Sequence, residues 1–206
     1  MGTITGLKQT GLTLVELMIG VAISALLVLM AAPSLTSMIQ NRQIRGIAES
    51  ISGGLQLARG AAISRNAQVM FSLSTSVDNS CALSASGAYW VVSQDDPSGA
   101  CASSASDTAA PRIVEKQASA ASVGSNQIAA TEATIAHSGR IVFNGFGRVT
   151  PNQAADIWID VTNPAGGDCG TASGTMRCMR VVVSPGGMVR LCDANLAYSA
   201  ANSQGC

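Results

Sequence analysis

The sequence predicts an α+β protein in which a long N-terminal helix packs on an antiparallel, β-rich C-terminal head. Over residues 12–65, apolar side chains first run almost without a break and then recur at helical spacing. Beyond residue 66 the pattern changes to short β-branched or aromatic segments bounded by Gly, Pro, Asn, Asp and Ser, which is typical of strands. This second part, residues 67–206, is long enough for one small β domain.

The helix begins with the apolar segment 12–33. A polar leader, residues 1–11, ends at a glycine, and about twenty apolar residues follow, interrupted by the single acid Glu16. Such a segment is long enough to cross a bilayer, where a carboxylate is costly unless it has a positive partner. Cleavage after Gly11 would supply one, because the new ammonium of Leu12 could pair with Glu16 of a staggered neighbour. The segment therefore predicts a helix that is stored in a membrane and extracted into a filament.

Two ordinary explanations compete with this one. An apolar run of this length is also typical of a plain membrane anchor or of a secretory signal, for which the residues around Ala32 and Ser34 offer a loose cleavage site. Against both, Glu16 lies at the start of the run, and the helical pattern continues beyond Pro33.

The second half of the helix, residues 34–66, is predicted to be amphipathic. Apolar or small residues recur at the i, i+3, i+4, i+7 spacing of one helical face: Ile44, Ile47, Ala48, Ile51, Leu55, Ala58 and Ala62. We expect this stripe to pack against the head. A continuous helix over 12–65 would be about 80 Å long. Pro33 should kink it, and the glycines at 53–54 should weaken it by about 1 kcal/mol each relative to Ala.

The head is predicted to contain seven short strands. They are residues 68–74, 88–93, 112–116, 140–144, 157–162, 177–184 and 187–192. The sequence SPGG at 184–187 indicates a hairpin turn between the last two. The Ser/Ala/Gly-rich tracts 95–110 and 117–131 are predicted to be exposed loops.

Composition argues against binding through an overall charge, and the motifs argue against catalysis. The formal net charge is zero and 12% of residues are charged, so no overall basic field favours nucleic acid or anionic lipid. No P-loop, H-E-x-x-H or G-x-S-x-G sequence occurs. His137 stands alone, and Asp95, Asp96, Asp156, Asp160 and Asp193 are most simply solvated charges. We expect no enzymatic activity, no cofactor and no small-molecule substrate.

Six cysteines follow the apolar helix: Cys81, Cys101, Cys169, Cys178, Cys192 and Cys206. An even number in an exported head predicts disulfides. Six cysteines allow fifteen pairings, of which proximity in the sequence favours 81 with 101, 169 with 178, and 192 with 206. The rival is a zinc site, but there is no C-x-x-C pair and His137 is far from every cysteine. We expect no metal.

The sequence LTLVEL after Gly11 resembles the class III signal of type IV pilins and type II secretion pseudopilins. In that family a prepilin peptidase cuts after the glycine and methylates the new terminus. The resemblance implies that residues 1–11 are a prepilin leader, that cleavage falls between Gly11 and Leu12, and that Leu12 is N-methylated. The family usually begins its mature chain with Phe, where this chain has Leu12. Pro33 matches the family's helix-kinking proline.

The rest of the chain resembles the GspH/FimT group of minor pilins and pseudopilins. The similarity rests on RIVFNGFGRVTP at 140–151, on the terminal S-P-G-G-x-V-R-x-C hairpin, and on a closing 192–206 tail. It implies a pilin-like fold held in the bacterial inner membrane, with a periplasmic head. Its partners would be prepilin peptidase, an inner-membrane assembly platform, and other pilins or pseudopilins bound through the N-terminal helix. The role would be a minor pilin in pilus initiation or, alternatively, a type II secretion pseudopilin.

A third function that the resemblance suggests is a DNA receptor at the pilus tip. DNA uptake by FimT-type pilins is associated with a G-R-x-R motif in the C-terminal hairpin. Here Met188 replaces the first arginine and Arg190 remains, with Arg180, Arg177 and Arg148 as further candidate contacts. Because each lost arginine removes a phosphate contact, we expect weak DNA binding or none.

Overall fold

The computed structural model describes most of the chain. The described residues are 13–87, 89–117, 129–132, 139–152, 154–163, 166–170 and 176–206, without the side chains of 29–35 and 129–132. By their internal contacts the residues form two compact units, Met1–Met38 and Ile39–Cys206.

The helix α1 spans Leu14–Arg65 and contributes to both units. It starts two residues later than predicted, directly after Thr13, whereas Leu12 lies outside the described residues. The helical backbone continues through Pro33 and through the glycines at 53–54. The kink expected at Pro33 stays a prediction.

Among the described residues, nine strands follow the helix and form two antiparallel sheets. They are β1 (Val69–Ser74), β2 (Tyr89–Ser93), β3 (Ile113–Gln117), β4 (Ala129–Glu132), β5 (Arg140–Phe143), β6 (Val149–Thr150), β7 (Ile157–Thr162), β8 (Met179–Val183) and β9 (Val189–Asp193). The first sheet has the order β3-β2-β1-β5-β6 and the second the order β4-β7-β8-β9. The predicted α+β class, a helix followed by an antiparallel β-rich head, is confirmed.

The core of the head lies between α1 and both sheets. All seven residues of the predicted helical stripe are buried, as is Ala61 beside them. They form one apolar cluster with inward-facing side chains of the first sheet, such as Phe71 and Phe143, and of the second, such as Ile159 and Val181. The stripe prediction is confirmed. Since one helix face covers two sheets, the head can bury a continuous core although neither sheet is large.

The lateral loops, residues 75–87 and 94–112, cover the outer face of the first sheet. The Cys81–Cys101 disulfide packs there against Val91 and Ile113 as a second small apolar cluster. Lys116 of β3 fixes the loop 94–112, because its Nζ donates hydrogen bonds of 2.7 to 3.0 Å to the carbonyls of residues 101, 102 and 103. The tract 95–110, predicted to be an exposed loop, is therefore partly buried.

Two strands were not predicted. β4 lies inside the tract 117–131 that we expected to be a loop, and its sequence AATE contains Ala and Glu, which are depleted in strands. It forms because it pairs with the edge of β7, with Ala129 opposite Thr162. β6 has two residues and pairs with the end of β5.

Gly54 has a packing role that the helical pattern does not reveal. A Cβ at this position would lie 2.9 Å from Cε2 of Phe71 and 3.0 Å from ring carbons of Trp90. The two rings are themselves in contact, with centroids 5.8 Å apart. Gly54 therefore lets the helix approach β1 and β2 closely, whereas a Cβ at Gly60 would meet nothing within 4 Å.

This contrast predicts opposite effects for two glycine-to-alanine changes in one helix. Gly60→Ala should raise the free energy of unfolding by up to about 1 kcal/mol, because alanine is the better helix former. Gly54→Ala should lower it by about 1 kcal/mol, because the overlap with the rings outweighs that gain. Denaturant unfolding of the full chain in detergent micelles, followed by tryptophan fluorescence, compares the two variants. Equal stabilisation by both would contradict the close-approach role of Gly54.

Candidate functional site

The first turn of α1 presents Glu16 next to a helix cap. The Glu16 N–H donates to Oγ1 of Thr13 at 3.3 Å, and the Leu17 N–H donates to the Thr13 carbonyl at 3.2 Å. Thr13 followed three residues later by Glu is the capping-box pattern, a local signal that the sequence itself contains. The Glu16 side chain is exposed, and no cation of the described residues lies within 4.0 Å of its carboxylate.

Apolar side chains surround the helix beyond Glu16. All described side chains from Thr13 to Val28 are exposed, including Leu14 at 75% and Val28 at 67%. Contiguous exposed apolar surface of this kind marks a site that lipid or other protein covers. Among the described residues, no helix meets the length and hydropathy that a membrane span requires. Gly11 and the side chain of Pro33 lie outside the described part of the chain.

Three disulfides tie the head together: Cys81–Cys101, Cys169–Cys178 and Cys192–Cys206. These are the pairs that proximity in the sequence favours. The last of them closes the C-terminal tail, which is also held by backbone hydrogen bonds from Asp193 to Gln204 and from Cys206 to Leu196. By chain entropy a disulfide across a loop of this size stabilises the fold by about 3 kcal/mol.

The C-terminal hairpin β8–β9 presents Arg190 on the outer face of the second sheet. Arg190 lies opposite Val182, which in turn lies opposite Trp158. The Arg190 side chain is exposed, and so is 60% of Met188 in the turn that precedes β9. The predicted turn at 184–187 is confirmed, since the Gly187 N–H donates to the Ser184 carbonyl at 2.8 Å.

Arg180 lies on the same face but is held by its neighbours. Its Nε and Nη2 donate to the two carboxylate oxygens of Asp160 at 2.5 and 2.9 Å, and its guanidinium stacks 4.6 Å from the ring centroid of Trp158. These hydrogen bonds raise the pKa of Arg180. To bind Arg180, a DNA phosphate would have to displace the Asp160 carboxylate, which already accepts two hydrogen bonds from the guanidinium. The sequence predicts both strands but not the ion pair, because the register that places Asp160 opposite Arg180 is set by the tertiary structure.

The other two candidate arginines lie far apart. The Arg177 backbone N–H donates to Oδ1 of Asn41, whereas Arg148 follows Gly147, whose carbonyl accepts a hydrogen bond from Nε of Arg59. Residues 41 and 59 of α1 are separated by about 27 Å at the helical rise. Arg148 is therefore close to the hairpin turn and Arg177 is not, although both side chains are exposed.

The acidic residues of the head are mostly engaged in ion pairs or turns. Arg112 donates two hydrogen bonds to Asp95, at 2.5 and 2.7 Å, and holds the pKa of that carboxyl below its usual value. Hydrogen bonds from Ser98, with a smaller attraction from Arg140, lower the pKa of Asp96. Carboxyls stabilised in the charged form are unsuited to donating a proton near neutral pH. Within the described residues no group of His, Cys, Asp and Glu could hold a metal ion; His137 lies outside them.

A sequence profile of the family described as Type II transport protein GspH matches residues 48–187, more than half of the chain. The chain belongs to the GspH family. A second profile, the prokaryotic N-terminal methylation motif, matches residues 6–32. This GspH-family protein is a pilin-like protein of the GspH/FimT type, and the family consists of structural subunits. No curated protein matches it.

Two crystal structures of the type IV minor pilin FimU from Pseudomonas aeruginosa strain PAO1 are similar in fold to this GspH-family chain. One is 15% identical, with a TM-score of 0.47, and the match covers 73% of this chain and 88% of FimU. The other is 14% identical, with a TM-score of 0.45, and covers 71% and 90%. The family assignment rests on the matched residues 48–187.

The hairpin geometry predicts how DNA binding responds to position 188. The unmodified full chain should show no saturable binding at micromolar concentration, because Arg180 is held by Asp160 and residue 188 has no charge. Met188→Arg should create binding that falls with salt, with a slope of log affinity against log salt of about −1 for the added phosphate contact. Fluorescence anisotropy with labelled duplex DNA at low salt measures both.

Leu196→Arg is the matched control for this titration, because it adds the same charge to an exposed position in the tail. It should leave binding unchanged. Tight binding by the unmodified chain that disappears in Arg190→Ala would contradict the prediction and favour a DNA receptor.

Proposed function

We propose that this GspH-family chain is a minor pilin of the type IV pilus that acts as a structural and initiation subunit. Before assembly it resides in the bacterial inner membrane as a single-pass protein with its head in the periplasm. Prepilin peptidase removes residues 1–11 and methylates Leu12. An inner-membrane assembly platform then transfers the subunit into the filament, where it packs against other pilins through the N-terminal helix.

The observation that supports this proposal is the combination of two parts in one chain. The N-terminal methylation motif at residues 6–32 includes an apolar helix whose first turn carries the exposed acid Glu16. The GspH head that follows is closed by three disulfides, which suits an oxidising compartment such as the periplasm. An apolar helix exposed on all sides needs lipid before assembly and neighbouring helices after it.

Glu16 gives this assembly a register. After cleavage the ammonium of Leu12 would precede the Thr13 cap, and neither that charge nor the Glu16 carboxylate is stable alone in an apolar environment. Pairing the ammonium of one subunit with Glu16 of the next satisfies both charges. It also requires parallel helices at a fixed stagger, because a shift of one residue would separate the charges.

A second candidate is a minor pseudopilin of type II secretion, which the description of the matched family favours. The same helix chemistry serves both filaments. Deleting the gene separates them, since loss of pili with normal protein secretion indicates the pilus, whereas retained substrates in the periplasm indicate the secretion system. A pilus-tip DNA receptor is the third candidate, and the exposed Arg190 and Arg148 are the groups that would support it.

Processing is the first test of the proposal. Mass spectrometry of the protein from the cell envelope should show a mature chain that begins at Leu12 and carries one N-terminal methyl group. Gly11→Ala is expected to weaken processing, because the resemblance places the peptidase cut after a glycine. A mature terminus near residue 35, or an uncut chain, would instead support a secretory signal or a plain anchor.

Glu16 is the second test. Glu16→Gln keeps the size of the side chain and a capping-box residue but removes the charge. It should leave membrane insertion intact and strongly reduce incorporation into sheared filaments, because breaking a desolvated pair costs about 3 to 5 kcal/mol. Glu49→Gln is the matched control on the same helix, since Glu49 forms an exposed pair with Arg45, which is worth at most about 1 kcal/mol. Normal recovery of the Glu16 variant in filaments would argue against the ion pair.

A further inference from the structure

Two turns of the head lie against each other beside the last turns of α1. One is the β5–β6 turn at residues 144–148, and the other is the β8–β9 turn at 184–188. Both contain a glycine in the left-handed region, Gly147 with φ of 72° and Gly187 with φ of 80°. A Cβ on Gly187 would overlap the Gly147 carbonyl oxygen, so the two backbones are in direct contact.

The turns are also fixed to the rest of the head. Nε of Arg59 on α1 donates to the Gly147 carbonyl at 3.1 Å, and the Val149 N–H donates to the Pro185 carbonyl at 3.2 Å. The Asn144 side chain accepts hydrogen bonds from two backbone N–H groups of its own turn, at 3.0 and 3.1 Å. Side chains on these turns are therefore presented from a rigid base.

Three large apolar side chains are exposed at this place, and we call them the tip patch: Ile63, Phe146 and Met188. Phe146 is 84% exposed and Ile63 is 48% exposed. Ile63 adjoins the turns, because a Cβ on Gly147 would lie 2.7 Å from its Cδ1. Phe146 and Met188 each neighbour one of the two contacting glycines. A group of exposed apolar side chains on a backbone that is fixed in this way is typical of an interaction site.

The arginines around the tip patch lack carboxylate partners. Within the described residues, no carboxylate lies within 4.0 Å of Arg59, Arg148 or Arg190. Most other arginines of the head have one: Arg45, Arg65, Arg112, Arg140 and Arg180 pair with Glu49, Asp107, Asp95, Asp96 and Asp160. In a chain with zero formal charge, three arginines beside the patch thus carry a positive charge that no carboxylate of the described residues within 4.0 Å neutralises.

We propose that the tip patch docks another subunit of the filament, one whose head presents an apolar surface bordered by carboxylates. This inference rests on the proposed function, because parallel helices in a filament place the heads of neighbouring subunits side by side. The apolar side chains would supply the binding surface, and the unpaired guanidinium groups would select an acidic rim.

Photo-crosslinking in the source bacterium tests the proposal on the full chain. p-Benzoylphenylalanine at position 146 should give an adduct whose second component, identified by mass spectrometry, is another filament subunit. The matched control is position 198, where Tyr198 is 66% exposed on the C-terminal tail; it should not give that adduct. The adduct from position 146 should fall about tenfold in an Arg148→Glu background, as expected when one interface charge is reversed.

Recovery of the chain in sheared filaments gives a second readout. Phe146→Ser combined with Met188→Ser should lower it about tenfold, the effect of removing an interface anchor, while Tyr198→Ser leaves it unchanged. Both variants should keep the three disulfides, since all the substituted side chains are exposed. An adduct with DNA or with a protein outside the filament would overturn the proposal, as would normal filament recovery of the double variant. A chain that keeps its leader and never enters filaments would instead overturn the proposed function itself.

Discussion

The burial of one stripe of α1 against two sheets is the interaction on which the head depends. Within the described residues neither sheet closes on itself, and both present inward-facing side chains to the same helix face, with Val, Ile and Phe from the first sheet and Val and Ile from the second. In the whole chain only 12% of residues are charged and 3% are aromatic, so apart from its three disulfides the head has few other means of stability. Small residues in the stripe, such as Ala58 and Ala62, and above all Gly54, set how closely the helix approaches the first sheet. The position of the β5–β6 turn, and of the β8–β9 turn that contacts it, follows from this packing, since Arg59 of the same helix donates to the Gly147 carbonyl.

The pattern of exposed and apolar side chains changes along the helix. From Leu14 to Val28 every described side chain is exposed and most are apolar, whereas from Ile44 to Ala62 only one face is apolar and that face is buried. A helix that is hydrophobic on all sides must be surrounded by lipid or protein, and an amphipathic one needs cover on one side. The change between these patterns falls near the boundary of the two compact units at Met38. The first part of the helix therefore has an apolar surface that is free to contact lipid or other protein, whereas the second part packs on the head.

How much could be predicted from the sequence follows from the range of the interactions. The helical stripe and seven of the nine strands depend on local periodicity, and they were predicted within a few residues. β4 could not be, because AATE has no intrinsic preference for a strand and forms one by pairing with β7. The register that sets Arg180 opposite Asp160 is likewise invisible in the sequence, and so is the contact between Gly54 and the rings of Phe71 and Trp90. The capping-box pattern at Thr13 and Glu16 is local and was predictable from the sequence. Glu16 was interpreted only as an acid in an apolar run.

The distribution of charge separates the structural groups from those that are available for binding. Arg180 lies on the exposed face of the C-terminal hairpin, yet Asp160 and Trp158 occupy its guanidinium. Arg190 lies on β9 two residues before Cys192, which is the residue opposite Arg180. It has no carboxylate partner among the described residues. Exposure alone would treat these arginines as equal, whereas a ligand must displace an existing bidentate pair at one and only water at the other. For the same reason the unpaired arginines beside Phe146 and Met188 matter more than the total number of arginines. Since five arginines of the described residues are neutralised by carboxylates of the same chain, the arginines that remain unpaired define the surface on which selection for a partner can act.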